Sequence, residues 1–94
     1  MKSEKNSRGE LLRNRIQRRF PSCGPRLVEF PSGAFMIDID LQGETYVVEY
    51  VPRFGTYGLS KMSTATFGWE GYEEDFEVPD ALMDRIEILC KSSE

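Results

Sequence analysis

Large apolar side chains recur at every second position between residues 34 and 51, and only Gln42-Gly43 interrupts this alternation. A period of two places successive side chains on opposite faces of a β-strand. Two such segments joined by two turn-forming residues predict a β-hairpin. The sequence therefore predicts strands over residues 34–41 and 44–51, paired antiparallel in a sheet.

A shorter apolar segment precedes this hairpin and joins it through the tight turn 31–33. We expect this segment to form a strand in which Val28 lies opposite Ile37 and Phe30 lies opposite Phe35. The two hairpins together predict one apolar sheet face, which would form the core. Its members are Val28, Phe30, Phe35, Ile37, Ile39, Leu41, Tyr46, Val48 and Tyr50.

Helices are predicted at both ends of the chain. Ser7 and Glu10 have the spacing of a capping box, so a helix is expected from there to Arg19, before Pro21. A second helix is expected to begin at Pro79, because proline is favoured in the first helical turn. Its core-facing residues are predicted to be Leu82, Met83, Ile86, Leu89 and Cys90.

These elements define the fold class. The strands are predicted over residues 27–30, 34–41, 44–51 and 57–62. The sequence thus predicts an α+β fold of order α-β-β-β-β-α, an antiparallel meander sheet flanked by an N-terminal and a C-terminal helix. The sheet has four strands, or five if residues 64–77 form a strand instead of a loop. We expect one domain over residues 7–94, preceded by a flexible tail over residues 1–6.

Charge is distributed unevenly along the chain. Residues 1–26 hold eight basic and two acidic side chains, a net of 8 − 2 = +6, whereas residues 27–94 hold four basic and fourteen acidic side chains, a net of 4 − 14 = −10. A basic N-terminal segment next to an acidic remainder of the chain either binds an anion or packs against that remainder. The overall charge of −4 disfavours a general nucleic-acid-binding domain, because such domains are usually basic.

The predicted first helix carries most of the basic charge. Its apolar stripe, Leu12, Ile16 and Phe20, shares one arc with Arg15 and Arg19, so these two arginines need carboxylates or solvent nearby. The acids of the predicted sheet are candidate partners for them. If the helix projected from the body, it could instead follow a phosphate backbone. The contacts in that alternative would come from Arg8, Arg13, Arg15, Arg18 and Arg19.

The chain contains no histidine, which removes the commonest general base and most transition-metal sites. The predicted register groups Asp38, Asp40 and Glu49 on the face opposite the core. Three carboxylates that close could bind Mg²⁺ or Ca²⁺ through their oxygens. An aspartate on one strand and a glutamate on the next also resemble the sites of metal-dependent nucleases. Those sites usually need a lysine soon after the second acid, and no lysine closely follows Glu49. We expect an ordinary half-exposed acidic sheet face, with no metal, no cofactor and no catalytic residue.

Residues 67–76 combine large aromatic side chains, two glycines and four acids. The aromatic side chains of such a segment either pack against the edge of the core or form a recognition surface. The second interpretation rests on tryptophan and tyrosine, which often dominate the binding energy of interfaces. We expect Trp69 to be at least partly exposed, with Tyr72 near it. The predicted partner-binding residues are Trp69, Glu70, Tyr72, Glu73, Glu74 and Asp75.

The polar N-terminus is followed by no apolar segment, so we expect no secretory signal, no membrane association and a cytoplasmic location. Cys23 and Cys90 are then expected to be reduced thiols. Together these features favour a non-enzymatic protein-interaction module, such as an inhibitor or antidote, that binds a basic protein through an acidic, aromatic surface. The alternative is a nucleic-acid-associated accessory protein that uses the basic first helix.

Overall fold

A computed structural model describes residues 7–61 and 74–91 of the chain. Within these residues the elements are helix α1 (Arg8–Arg19), a 3-10 turn (Pro21–Cys23), strands β1 (Arg26–Glu29), β2 (Phe35–Leu41), β3 (Glu44–Val51), β4 (Thr56–Lys61) and β5 (Glu74–Phe76), and helix α2 (Pro79–Lys91). Strands adjacent in the chain pair antiparallel in one sheet. The predicted α+β class is confirmed, with a fifth strand at the end of segment 64–77. The predicted tail, residues 1–6, lies outside the described residues.

The capping box at the start of α1 forms as predicted. The backbone N–H of Glu10 donates to the Ser7 hydroxyl over 3.1 Å, and the backbone N–H of Ser7 donates to the Glu10 carboxylate over 3.2 Å. A cap of this kind stabilises a helix by about 1 kcal/mol. The helix ends at Arg19, and Pro21 begins the 3-10 turn that leads to β1.

The register between β2 and β3 is also as predicted. Ile37 pairs with Val48, and Phe35 pairs with Tyr50. The two turn residues both adopt positive φ angles, 52° at Gln42 and 83° at Gly43. This is the left-handed backbone that a two-residue hairpin turn requires, and glycine reaches it without steric penalty.

The predicted register of the first hairpin is wrong by one residue. Val28 pairs with Met36 instead of Ile37. The N–H of Phe30 donates to the carbonyl of Ala34 over 3.0 Å, which leaves a three-residue loop. Such loops commonly end in a left-handed residue, and Gly33 fills that position with φ of 96°.

A slip of one residue moves every side chain of a strand to the opposite face. Val28 and Phe30, predicted to lie in the core, are therefore exposed, at 51% and 43% of their full accessible surface. Leu27 takes the place opposite Ile37 and packs against the core instead. Both Leu27 and Val28 are apolar, so hydrophobicity alone does not distinguish the two registers.

Both helices pack on one face of the sheet, and the core lies between the helices and that face. Leu12 and Ile16 of α1 are buried there, as predicted for the apolar stripe. From α2, Leu82, Met83 and Ile86 are buried, while Leu89 and Cys90 are partly buried against the core. The strands contribute Phe35, Ile37, Ile39, Leu41, Val48, Tyr50, Tyr57 and Leu59. Among the described residues no helix is long and apolar enough to cross a membrane.

Candidate protein-interaction surface

The sheet face turned away from the two helices, here called the outer face, carries most of the charge of the sheet. Strand alternation and the observed register place on it Arg26, Val28, Met36, Asp38, Asp40, Thr45, Val47, Glu49, Val51, Thr56, Gly58, Ser60 and Asp75. Val47 and Ser60 are buried, with 2% and 6% of their surface exposed. The acidic residues of this face are half-buried or exposed.

Asp40 is held by two hydrogen-bond donors on neighbouring strands. Its carboxylate lies 3.2 Å from Nη1 of Arg26 and accepts a hydrogen bond of 2.9 Å from the hydroxyl of Thr45. The bond from Arg26, helped by Thr45, lowers the pKa of Asp40. Arg26 is a partner that the sequence did not predict, because the predicted strand began at residue 27, and its register extended by one residue would put Arg26 opposite Ile39 on the core side.

Glu49 and Asp75 lie in one row across the sheet. Glu49 pairs with Gly58, and Gly58 pairs with Asp75 on its other side. The residue between the two acids has no side chain, so no Cβ separates their carboxylates. Partial burial raises the pKa of Glu49, whereas Asp75 is exposed.

The carboxylates Asp38, Asp40 and Glu49 share the outer face, as the sequence predicted. Asp38 pairs with Val47 and is therefore a diagonal neighbour of Glu49. However, residues 7–61 and 74–91 include no group of three metal-ligating side chains close enough to hold an ion. Asp40 is bound to Arg26, and the three acids share one charged surface.

The basic helix α1 lies against the sheet and does not project from the body. Leu12 and Ile16 are buried, and two of its arginines pair with α2: Arg15 with Asp80, and Arg19 with Glu87. The acids of α2 thus supply the pairing that the sequence had assigned to the sheet. Glu87 is also 3.1 Å from Lys91, and the nearby Lys91 and Arg19 lower the pKa of Glu87.

The remaining arginines of α1 differ in their surroundings. The guanidinium of Arg8 donates to the Tyr57 hydroxyl over 3.3 Å and lies 4.8 Å from the ring centroid of Tyr50. Arg13 donates to the side-chain oxygen of its neighbour Asn14 over 2.8 Å. Arg18 is exposed. In the described part of the chain these three arginines make no ion pair.

The predicted recognition segment is described only at its end. Trp69, Glu70, Tyr72 and Glu73 lie outside the described residues, so their predicted role stays a prediction. Glu74 points to the helix side, where its carboxylate accepts a hydrogen bond of 2.9 Å from Nε of Arg85. Asp75 lies on the outer face instead, beside the acids predicted separately as a sheet surface. Asp75 is therefore the one described acid of the predicted recognition segment that shares a face with Asp38, Asp40 and Glu49.

Neither cysteine is part of a disulfide. Cys23 is buried in the core, and this burial raises the pKa of its thiol to about 11. Burial also raises the pKa of Cys90. Both thiols are therefore protonated at neutral pH, which makes them poor nucleophiles.

No protein-family model, curated protein or solved structure matches this chain.

Proposed function

We propose that this chain is a non-enzymatic protein-interaction module whose outer face binds a basic surface on another protein, as an inhibitor or an antidote does. The observation that supports it most is the charge of this face. Its described residues include four carboxylates, Asp38, Asp40, Glu49 and Asp75, and one cation, Arg26. Arg26 is ion-paired with Asp40 and lies directly opposite Asp38, so these described residues carry a net charge of 1 − 4 = −3, and Glu49 and Asp75 are the acids without a cation of this face beside them.

A charged surface of this kind mainly raises the rate at which a partner associates and sets the orientation in which it binds. Several carboxylates of one sign attract a basic partner over distances near the Debye length, about 8–10 Å at physiological salt. The raised pKa of Glu49 adds a further property, because a basic partner would favour its ionised form. Val28, exposed on the same face, offers apolar contact beside the charges. The aromatic residues Trp69 and Tyr72 remain part of this proposal on the sequence alone.

The alternative, a nucleic-acid-associated protein, receives less support from the geometry. It needs a basic helix free to contact phosphates, whereas Arg15 and Arg19 are bound to acids of α2. The three arginines of α1 without an ion pair among the described residues, Arg8, Arg13 and Arg18, give too few phosphate contacts for tight binding at physiological salt. A protein partner is therefore the better match to the described surface.

The test is affinity capture from extract of the source cells, followed by mass spectrometry, with three forms of the chain. The first is the native sequence, and the second is Asp38→Lys with Asp75→Lys on the outer face. The third, a control with the same change of charge, is Glu44→Lys with Asp84→Lys, two exposed positions that are not on that face.

A basic protein retained by the native form and the control, but lost by the outer-face variant, supports the proposal. The purified pair should then bind more weakly as salt is raised. Equal retention by all three forms would contradict it. Capture of nucleic acid instead, lost on Arg13→Glu with Arg18→Glu, would establish the alternative.

A further inference from the structure

A cavity of about 210 Å³ lies between the first two turns of α1 and the start of α2, on the helix side of the sheet. Its lining residues are Arg8, Leu11, Leu12, Arg15, Tyr57 and Pro79. Neither the outer face nor any residue of the proposed function belongs to it. The lining combines apolar side chains with two arginines, and this combination restricts what the cavity can bind.

The two arginines of the cavity are in different electrostatic states. The charge of Arg15 is balanced by Asp80. Arg8 has only neutral partners among the described residues, the hydroxyl of Tyr57 and the ring of Tyr50. A guanidinium between two aromatic side chains is oriented in advance, yet it keeps free N–H donors, because five are available and one is used. As far as residues 7–61 and 74–91 show, the cavity therefore carries one oriented positive charge without an acidic partner.

The apolar wall sets the size of a ligand. Leu12 and Tyr57 are 5% and 4% exposed and form fixed surfaces, whereas Leu11 is 57% exposed at the mouth of the cavity. Sites for drug-sized molecules begin at about 300 Å³, so this cavity accepts only one compact apolar group. Covering Leu11 would also remove apolar surface from water, which favours binding.

We propose that this cavity binds a carboxylate carried on a compact apolar group, with Arg8 binding the carboxylate and Leu11, Leu12 and Tyr57 contacting the apolar part. Two sources share this chemistry: a free branched or aromatic acid, and the C-terminal residue of a peptide that ends in an apolar side chain. A planar carboxylate suits arginine, whose N–H groups can form two parallel hydrogen bonds with it.

The test is a titration of the folded chain followed by two-dimensional ¹H–¹⁵N NMR spectra. The probes are 4-methylpentanoate and its neutral amide, together with N-acetyl-Gly-Gly-Leu as the free acid and as the C-terminal amide. The first pair represents a free acid and the second a peptide end. We expect at least one acid to bind, with shifts concentrated at the backbone signals of Leu11, Leu12 and Tyr57, and its amide to bind more weakly.

Variants assign the two parts of the site. Arg8→Gln should weaken binding of the acid by about fivefold. This is the change in affinity that corresponds to about 1 kcal/mol, the usual contribution of a partly exposed charge pair. The matched control Arg18→Gln removes a charge from the same helix without touching the cavity, and should change nothing. Leu11→Gln, at an exposed position that folding does not depend on, should also weaken binding.

Binding of the free acid alone, or of the peptide acid alone, identifies the source and supports the proposal in either case. The proposal is overturned if neither acid binds, if acid and amide bind equally, if the shifts lie away from the cavity, or if Arg8→Gln and Leu11→Gln both bind as the native chain does. None of these results bears on the outer face, so the proposed function is tested separately.

Discussion

The carboxylate of Glu74 on β5 accepts a hydrogen bond from Nε of Arg85 on α2, with 2.9 Å between the two atoms. This ion pair connects the shortest strand of the sheet to the C-terminal helix. Both side chains are more than one third exposed, at 38% and 36%, so solvent screens their interaction. The ion pair therefore fixes the position of β5 more than it stabilises the domain as a whole.

The first prediction concerns this strand. Glu74→Gln should lower the free energy of unfolding by no more than about 1 kcal/mol, the usual limit for an exposed pair. Hydrogen exchange at the amides of β5 should nevertheless become faster, because a three-residue edge strand opens locally once its connection to α2 is removed. Asp75→Asn, on the opposite face, is the control and should leave exchange unchanged. Slower or unaltered exchange in the first variant would contradict the role given to this pair.

A second prediction separates the two registers of the first hairpin. Ile37→Ala should cost about 2–5 kcal/mol, because Ile37 is fully buried. Ile86→Ala in α2 should cost a similar amount. Val28→Ala should be within about 0.5 kcal/mol of the native chain, because Val28 is exposed in the observed register. Chemical denaturation measures all three, and a large loss at Val28 would restore the register expected from the sequence.

The two hairpins explain how much of the fold was predictable from the sequence. The β2–β3 register was predictable because a two-residue turn at Gln42-Gly43 permits one pairing. The β1–β2 register was not, since pairing Phe30 with Phe35 needs a four-residue loop and the observed pairing with Ala34 needs a three-residue loop, and both loop lengths are common in hairpins. Fold class and helix bounds do not depend on that pairing and were correct.

The same slip explains what was missed at the candidate surface. Alternation along β2 and β3 correctly grouped Asp38, Asp40 and Glu49, because those strands hold their predicted register. Arg26 was missed as the partner of Asp40, since a strand displaced by one residue faces the other way. The pairing of Arg15 with Asp80 depends on how two helices lie beside each other, and no local pattern in the sequence encodes that placement.

A third prediction concerns Gly9, which is buried in the first turn of α1. A Cβ added there would lie 3.0 Å from Cδ1 of Leu27 and 3.1 Å from Cγ of Phe35. Glycine to alanine normally stabilises a helix by up to about 1 kcal/mol. Here Gly9→Ala should destabilise the domain by about 1–3 kcal/mol instead, because the added methyl group would crowd Leu27 and the buried ring of Phe35, which must shift to accommodate it. Thermal unfolding gives the sign, and an increase in stability would show that the helix adjusts without loss.

A fourth prediction concerns the thiol of Cys23. Its pKa of about 11 leaves only roughly one thiol in a thousand ionised at pH 8, and burial restricts access as well. Alkylation by iodoacetamide, followed by peptide mass spectrometry, should therefore modify Cys90 well before Cys23. In denaturant both should react at similar rates. Because the folded state retains the Cys23 proton, its contribution to stability is present below pH 9 and is lost as the pH rises towards 11.

The fifth prediction concerns Trp69, the only tryptophan in the chain, so its fluorescence is free of overlap. Gly68 precedes it and Gly71 follows two positions later, which leaves the indole ring little shielding from its neighbours in sequence. The nearby acids Glu70 and Glu73 favour a segment in contact with water. We therefore expect an emission maximum near that of the denatured chain and strong quenching by acrylamide. Emission shifted to the blue without quenching would assign Trp69 to the core.

If Trp69 is exposed, its energetic role can be measured once a partner of the outer face has been identified. Trp69→Ala should weaken that complex by more than about 2 kcal/mol, as tryptophan at the centre of an interface commonly does, while changing the free energy of unfolding less. Trp69→Phe is the matched control, since it keeps an aromatic ring and should lose less affinity. A change in stability larger than the change in affinity would place Trp69 among the packing residues, and the interaction would then depend on the carboxylates of the outer face and on Val28.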